Sequence, residues 1–193
     1  MDVEYLIEGE RTALGAMRRD LAATYAAWLN RVEVKSGLTH LGILDAASEE
    51  AWLEEAAKAN APAEPPAANF TIYARGDGAP VGTCALMEIQ HRHRRANFGI
   101  LLGERRGQGL GTEATRLTLD WAFNVLSLHN VRLEVYPWNA GAILAYERAG
   151  FKVIGRRREA LLHHGRYWDE ISMDALASEF TGSVLAGRLP ALD

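Results

Sequence analysis

Four glycines fall within nine residues of this 193-residue chain: Gly103, Gly107, Gly109 and Gly111. Glycine readily adopts positive φ and lets a ligand approach the backbone closely. The first N–H groups of a helix lack partners within the helix, and the helix dipole favours negative charge there. If a helix begins at these glycines, the segment can bind a phosphate or pyrophosphate group without needing a charged side chain. A glycine-rich hairpin is the alternative interpretation.

The segments on either side of the glycines have clear periodicities. Before them, apolar residues at every second position predict a strand with one buried face: Ala96, Phe98, Ile100 and Leu102. After them, apolar residues three to four apart predict a helix over about 109–126: Ala114, Leu117, Trp121 and Val125. The predicted order is therefore strand, glycine loop and helix.

Two common phosphate-binding patterns do not fit this loop. A P-loop needs Lys and then Ser or Thr directly after its last glycine, and a dinucleotide site needs G-x-G-x-x-G. Positions 107, 109 and 111 read G-x-G-x-G, with Leu110 inside the pattern. The spacing Arg106-x-x-Gly109-x-Gly111 instead resembles the acyl-CoA loop of the GNAT N-acetyltransferases.

A second segment strengthens this resemblance. Asn139 is followed by a short helix-like stretch that carries Tyr146 and ends at Gly150-Phe151, which is similar to the other GNAT signature. The resemblance extends from about Arg11 to Asp174. Residues 85–98 and 165–170 resemble both the ribosomal-protein N-terminal acetyltransferases and the spermidine N-acetyltransferases. The chain is thus identified as a member of the GNAT superfamily.

The resemblance implies a mixed α/β fold, with a twisted mixed sheet flanked by helices. Two neighbouring parallel strands should splay apart, and here they are the strands that end at Leu102 and Tyr136. We expect one acetyltransferase domain over residues 1–175 and a C-terminal tail over 176–193. The tail is weakly helical at most and is expected to pack on a neighbouring subunit or to fray.

The resemblance also implies that acetyl-CoA enters the gap between these strands. Its pyrophosphate would contact the loop residues Arg106, Gln108, Gly109, Leu110, Gly111 and Thr112. Asn139 would contact the pantetheine arm. A backbone N–H next to Leu101 or Leu102 would stabilise the oxyanion.

Direct attack of an amine on the thioester needs two proton transfers. An alkyl ammonium has a pKa around 10 and must lose a proton, and the departing thiolate must gain one. Tyr146 occupies the family's position for the acid, although it could instead only pack on the cofactor. Glu88 is the first candidate base and Glu134 the second, with ordered water as a further possibility. Cys84 is expected in the core rather than as an acyl carrier.

The composition limits the partners and the location that we expect for this protein. The net charge of −4 argues against a general nucleic-acid binder, and 48% apolar residues suit one domain with a core. Cys84 is the only cysteine, so a reducing cytoplasm is expected. No apolar run approaches the roughly 20 residues of a membrane span. We expect no membrane or nucleic-acid partner, and a homodimer is one possibility.

The densest positive run covers His91 to Arg95. It is short and has no interleaved aromatic residues, so a solvated strand connection is favoured over a nucleic-acid patch. No Cys, Asp or Glu accompanies the two histidines at a ligand spacing, so no metal site is expected.

Two classes of acceptor remain open: a small-molecule amine such as a polyamine, amino sugar or antibiotic, and a peptide or protein N-terminus. A CoA-binding domain without catalysis is the alternative of another class. The basic run should repel a polycation, so an acceptor with one amine beside an apolar or anionic portion is predicted over spermidine.

The remaining elements follow from local signals. Short strands are predicted over 3–7 and 11–17, and a helix should begin after Arg18-Arg19-Asp20. Ser48 is the predicted N-cap of a helix over 48–59, and the helix dipole favours the negative charges of Glu49 and Glu50 in its first turn. A late hairpin should turn near His163-His164-Gly165.

Overall fold

The computed structural model describes residues 4–37 and 42–188. Its strands form one eight-stranded sheet in the order β1-β2-β3-β4-β5-β6-β8-β7. The strands are β1 (Tyr5–Glu8), β2 (Thr12–Ala16), β3 (Ala68–Ala74), β4 (Ala79–Gln90), β5 (Arg95–Leu102), β6 (Asn130–Val135), β7 (Lys152–His163) and β8 (Arg166–Leu176). Within the described residues only β5 and β6 run parallel, so the predicted mixed sheet is confirmed.

Five α-helices accompany the sheet in the described ranges: α1 (Ala22–Leu29), α2 (Val32–Lys35), α3 (Ala46–Asn60), α4 (Leu110–Asp120) and α5 (Ala140–Ala149). None of these is both long and apolar enough to cross a bilayer. The helix predicted over 109–126 is α4 followed by a π-helical turn over Trp121–Val125.

The core divides into two apolar clusters on opposite faces of the sheet. The larger cluster contains residues of α4 and has Ile100, Leu102 and Tyr146 packed against it. The smaller cluster joins α1 and α3 through Tyr25, Trp28 and Leu53, and Leu101 packs against it. Because successive strand residues point to opposite faces, β5 contributes to both clusters. All seven residues of β3 are buried, as expected for a strand covered on both faces.

Helix α3 begins earlier than the sequence predicted. Asp45, not Ser48, is the N-cap, and its Oδ1 accepts the backbone N–H of Ser48 at 2.8 Å. Asp and Ser are comparable capping residues, so the choice depends on where the preceding loop meets the helix. Glu50 is exposed in the first turns, whereas Glu49 is buried with only 4% of its surface exposed.

The late hairpin is confirmed by the pairing of β7 with β8. It turns at His164 and Gly165, which have φ of 49° and 75°. Two consecutive positive φ values are those of a tight hairpin turn.

The described part of the predicted tail packs on the same chain rather than fraying. Phe180 contacts Phe123, with ring centroids 5.4 Å apart, and Leu185 is 6% exposed within the larger cluster. Arg116 of α4 donates to the carbonyl oxygen of Thr181 at 2.6 Å. Residues 177–188 therefore cover one side of α4, while the division into a domain and a tail stays a prediction.

Candidate functional site

The parallel strands β5 and β6 pair over only three positions and then separate. Arg95, Ala96 and Asn97 pair with residues 130–132, whereas β4 continues to pair with β5 as far as Leu102. Backbone groups alternate in direction along a strand, so Ile100 and Leu102 direct theirs toward β6, as Ala96 does. Leu101 directs its N–H toward β4. The gap between these strands therefore exposes the backbone N–H groups of Ile100 and Leu102 to a ligand.

The glycine loop lies at the end of this gap. Arg106 donates from Nε to the carbonyl oxygen of Leu102 at 2.8 Å, which turns the loop back over the end of β5. Gly107 and Gly109 have φ of 78° and 79°, a region that side chains disfavour. At Gly111 an added Cβ would lie 3.0 Å from the Leu102 side chain, so the first turn of α4 sits directly against β5.

The N-terminus of α4 is suited to an anion. Its N-cap is Gly109, and no side chain caps the helix among the described residues. Gln108 and Gly109 are exposed, Leu110 is buried, and Thr112 is partly exposed in the first turn. The free N–H groups of this turn, together with the helix dipole, attract negative charge. The exposed Arg106 adds a positive charge at the same place.

The base of the loop is held by the start of the chain. The carboxylate of Glu113 accepts backbone N–H groups from Glu10 and Thr12, both at 2.7 Å. Arg11 donates from Nη1 to the carbonyl oxygen of Gln108 at 3.1 Å. The turn between β1 and β2 therefore anchors the loop and α4 from outside the predicted signature.

Tyr146 lies on α5 behind the gap. Its ring packs edge-on against Phe98 of β5 and against Phe151, with centroids 6.2 and 5.9 Å away. Burial raises the pKa of Tyr146 to about 12. Among the described residues none forms a hydrogen bond with its hydroxyl group. The side chain is therefore a protonated donor at neutral pH, with its hydroxyl available to a ligand.

Asn139 is the N-cap of α5. Its Oδ1 accepts the backbone N–H of Ala142 at 3.3 Å, and the residue is exposed. The neighbouring Trp138 donates from Nε1 to the carbonyl oxygen of Ser36 at 3.2 Å, so the start of α5 contacts the segment that follows α2. The contact of Asn139 with the pantetheine arm stays a prediction.

A cavity of about 480 Å³ lies between α1, α3 and the sheet, and we call it the α1–α3 cavity. It shares residues 99–101 of β5 with the gap, so the two spaces adjoin. Apolar side chains form most of its wall, among them Trp28, Leu29, Leu44, Trp52, Met87 and Leu101. Glu49 also lines it.

Helix α1 is fastened to the start of the loop. An added Cβ at Gly103 would lie 2.1 Å from the Trp28 ring, so only glycine fits beneath this indole. Trp28 donates from Nε1 to Glu104 at 3.2 Å, and Arg31 contacts both the Gly103 carbonyl oxygen and the Glu104 carboxylate. These contacts fix one wall of the α1–α3 cavity relative to the loop.

The two bases considered from the sequence do not line this cavity. Glu88 sits in a β4 bulge with φ of 50°, is exposed, and accepts a hydrogen bond from Asn97 at 2.6 Å. Glu134 is 3.8 Å from Arg132 on β6. The structure therefore does not bring either carboxylate to the wall of the α1–α3 cavity.

Glu49 is the residue that the sequence reasoning missed. Its place in the first turns predicts only an interaction with the helix dipole, but it shares a buried helix face with Leu53 and Ala56, at spacings of four and seven residues. A carboxylate at such a position is rare unless it has a partner or a function. That spacing was the signal that could have identified it.

Two other interpretations from the sequence agree with the structure. Cys84 is buried, its Sγ lies 3.2 Å from the Thr118 hydroxyl, and burial raises its pKa to about 12. A thiol with that pKa is a poor nucleophile.

The basic run forms a strand connection. His91 contacts the carbonyl oxygen of Pro65 at 2.9 Å, and Arg94 contacts the carbonyl oxygen of Ser127 at 2.5 Å. No cluster of metal-ligating side chains occurs in the described ranges.

The amino-acid sequence of this chain is similar to those of acetyltransferases. The family model described as an acetyltransferase (GNAT) domain matches residues 11–152. The spermidine N(1)-acetyltransferase of Escherichia coli (strain K12) is 40% identical over 98 residues, which are 50% of this chain and 53% of that protein. The chain thus spans about half the length of the curated relatives it matches.

Solved structures extend the likeness over most of the chain. Spermidine N-acetyltransferase from Vibrio cholerae, in complex with CoA and spermine, matches with a TM-score of 0.79 and 24% identity, covering 89% of this chain and 99% of that one. Mycobacterium smegmatis RimJ, in complex with CoA-disulfide, matches with a TM-score of 0.78 and 23% identity, covering 92% and 90%. At these identities the likeness is one of fold.

Proposed function

This chain belongs to the GNAT acetyltransferase family, and from that premise we propose that it moves an acetyl group from acetyl-CoA to a primary amine. The acceptor would be a small molecule or the N-terminus of a peptide or protein. Both substrates would be bound together, and the amine would attack the thioester directly. Acetyl-CoA supplies the activated acetyl group, and the chain supplies the positioning and proton transfer.

One observation carries this proposal: the gap between β5 and β6 opens beside the uncapped N-terminus of α4. The free N–H groups of that helix and Arg106 suit a pyrophosphate, and the residues from Gln108 to Thr112 surround the same point. The backbone groups of Ile100 and Leu102 suit the amides of an extended arm lying in the gap. The residues present therefore fit a CoA-type ligand.

The chemical roles follow from position. The N–H of Ile100 or Leu102 would donate to the thioester oxygen as it gains charge. Tyr146 would give its proton to the departing thiolate, since burial keeps it protonated. Asn139 would contact the pantetheine arm. These roles support direct transfer rather than an acetylated Cys84, whose buried thiol has a raised pKa and contacts Thr118.

A polyamine acceptor is the second candidate, and the 40% identity with a protein named spermidine N(1)-acetyltransferase favours it. A CoA-binding domain without catalysis is the third, and the availability of the Tyr146 hydroxyl group argues against it.

A cytoplasmic location and a homodimer are further proposals. The free thiol of Cys84 supports the cytoplasmic location. The exposed apolar side chains of Val153, Ile154 and Leu162 on β7 support the homodimer.

The test is steady-state release of CoA thiol from acetyl-CoA with a panel of amines: spermidine, simple aminoacyl amines, and peptides that begin with Ala or Ser. Mass spectrometry of the products identifies the acetylated nitrogen. We expect release that depends on both substrates. Binding of acetyl-CoA without release for any amine would support the non-catalytic alternative.

A further inference from the structure

Glu49 is the one carboxylate residue that lines the α1–α3 cavity in the described part of the chain. The other titratable residues on its wall are Tyr25 of α1 and Cys84 of β4, but the Cys84 thiol contacts Thr118 of α4 on the opposite face of the sheet. Burial raises the pKa of each to about 12, so both are neutral at pH 7. The remaining wall from α3, β3 and β5 has no titratable group. One carboxyl group thus faces a space whose described wall has no other acidic or basic side chain.

The carboxylate of Glu49 has no partner among the described residues. Only 4% of its residue surface is exposed, and no described side chain or backbone group donates a hydrogen bond to it. Burial raises its pKa, and no nearby charge opposes that shift. In the described residues the Tyr73 hydroxyl is the one fully buried polar side-chain atom without a partner, so the Glu49 oxygens reach the water of the cavity. A cation that enters this partly desolvated space gains a charge-assisted interaction with them.

Resting on the proposed acetyl transfer, we propose that Glu49 receives the acceptor amine: it pairs with the ammonium group and then takes one of its protons. The position supports this role because the α1–α3 cavity adjoins the gap along residues 99–101 of β5. An amine held by Glu49 therefore lies in the cavity whose β5 wall the thioester would share.

Acetyl transfer to the ammonium form of the acceptor releases one proton overall. The ammonium gives one proton to the Glu49 carboxylate, which later releases it to water. The neutral amine forms a bond to the thioester carbon, and the bond between carbon and sulfur breaks. The thiolate takes a proton from Tyr146, and the second proton lost by the nitrogen restores Tyr146. The amide keeps one hydrogen, and the products are the acetylated amine, CoA thiol and one proton.

The cavity also selects a class of acceptor. A polyamine brings several positive charges, but only one carboxylate is present on the wall, so its further ammonium groups would be desolvated without partners. The apolar side chains of Trp28, Trp52 and Met87 instead suit an uncharged aliphatic or aromatic body. The acceptor class is therefore a single primary amine carried on an apolar body.

The experiment compares wild type with Glu49→Gln and with Glu50→Gln, a matched change at the neighbouring exposed carboxylate of α3. The probe amine is 2-phenylethylamine, with spermidine as its competitor. Glu49→Gln should lower kcat/KM for the probe by about 10²-fold, the size expected for loss of a positioned base, while the Kd for acetyl-CoA stays unchanged. Glu50→Gln should retain full activity.

A pH profile separates the base from a merely structural residue. In Glu49→Gln the rate should depend on amine that is already neutral, so log kcat/KM should rise by about one per pH unit from pH 7 to 9. The wild-type profile should be flatter over that range. Equal activity in the two variants would overturn the role of Glu49 and leave acetyl transfer intact.

A binding measurement keeps the two proposals distinguishable. Calorimetry with CoA present should detect 2-phenylethylamine binding to wild type and at least 10-fold weaker binding to Glu49→Gln. Binding without thiol release would retain the ammonium site and overturn the transfer. Absence of both amine binding and thiol release would overturn the ammonium site and the acetyl transfer. A wild-type preference for spermidine in competition would overturn the acceptor class.

Discussion

The carboxylate of Asp120, at the end of α4, accepts the backbone N–H of Val184 at 2.7 Å. The same carboxylate accepts from the Ser183 hydroxyl at 2.6 Å and from the Leu185 N–H at 3.2 Å. Asp120 is 1% exposed, so its carboxylate is shielded from water. One buried side chain of α4 therefore holds residues 183–185 against the larger cluster.

Replacing Asp120 should destabilise the protein. Asp120→Ala removes the shared acceptor of several partly or fully buried donors, so the free energy of unfolding should fall by about 2–4 kcal/mol. The control is Asp45→Ala at the exposed N-cap of α3, which should cost about 1 kcal/mol. Urea unfolding followed by circular dichroism measures both. Equal, small losses would show that residues 183–185 contribute little to stability.

The glycine loop gives a prediction about ligand binding. Acetyl-CoA should raise the melting temperature of the wild type, because a ligand that binds only the native state stabilises it. Gly109→Val places a branched side chain at φ 79° and on the surface of the predicted pyrophosphate site, so it should abolish that shift. The measurement is differential scanning fluorimetry with and without acetyl-CoA.

The control for this variant is Gly165→Val in the β7–β8 turn. Gly165 has φ 75°, and an added Cβ meets nothing within 4 Å, so the backbone strain is similar but lies outside the loop. It should lower the melting temperature and keep the acetyl-CoA shift. A full shift in Gly109→Val would exclude the loop as the binding site.

The hydroxyl group of Tyr146 is predicted to be the acid that protonates the thiolate. Tyr146→Phe should lower kcat by about 10²-fold with little change in the Kd for acetyl-CoA, because the ring contacts with Phe98 and Phe151 remain. Tyr167→Phe, at an exposed position of β8, is the control and should change neither quantity. Turnover within a factor of about three of wild type would leave Tyr146 with a packing role only.

Glu49 should reduce the stability of the ligand-free protein near neutral pH. Its pKa is raised above the unfolded value of 4.5, so the native state binds more protons and stability falls as pH rises above that value. Glu49→Gln removes the buried charge and should raise the melting temperature at pH 7. At pH 4 the difference between variant and wild type should be smaller, because the carboxyl group is then largely protonated in both states.

This prediction is checked by thermal unfolding at pH 4, 5, 6 and 7, with Glu50→Gln as the exposed control. The gain from Glu49→Gln should grow with pH, whereas Glu50→Gln should show no comparable trend. A variant that is less stable than wild type at pH 7 would mean that Glu49 has a partner in the native state.

The strand, loop and helix around Gly109, and the helix that carries Tyr146, could be predicted from the sequence. Apolar periodicity and glycine positions act within a few residues, so local spacing is enough to predict such elements. The resemblance to GNAT proteins then implied the mixed sheet and the gap between β5 and β6. The roles of the individual site residues stay predictions, since they depend on a ligand.

Which polar residues are buried depends instead on the packing of the folded chain. Glu49 and Glu50 are adjacent and chemically identical, yet α3 turns Glu49 toward α1 and the sheet and leaves Glu50 exposed. Asp120 meets donors 63 to 65 residues away along the chain. Periodicity shows which face of a helix is buried but not which segment covers it, because that depends on packing between distant parts of the chain.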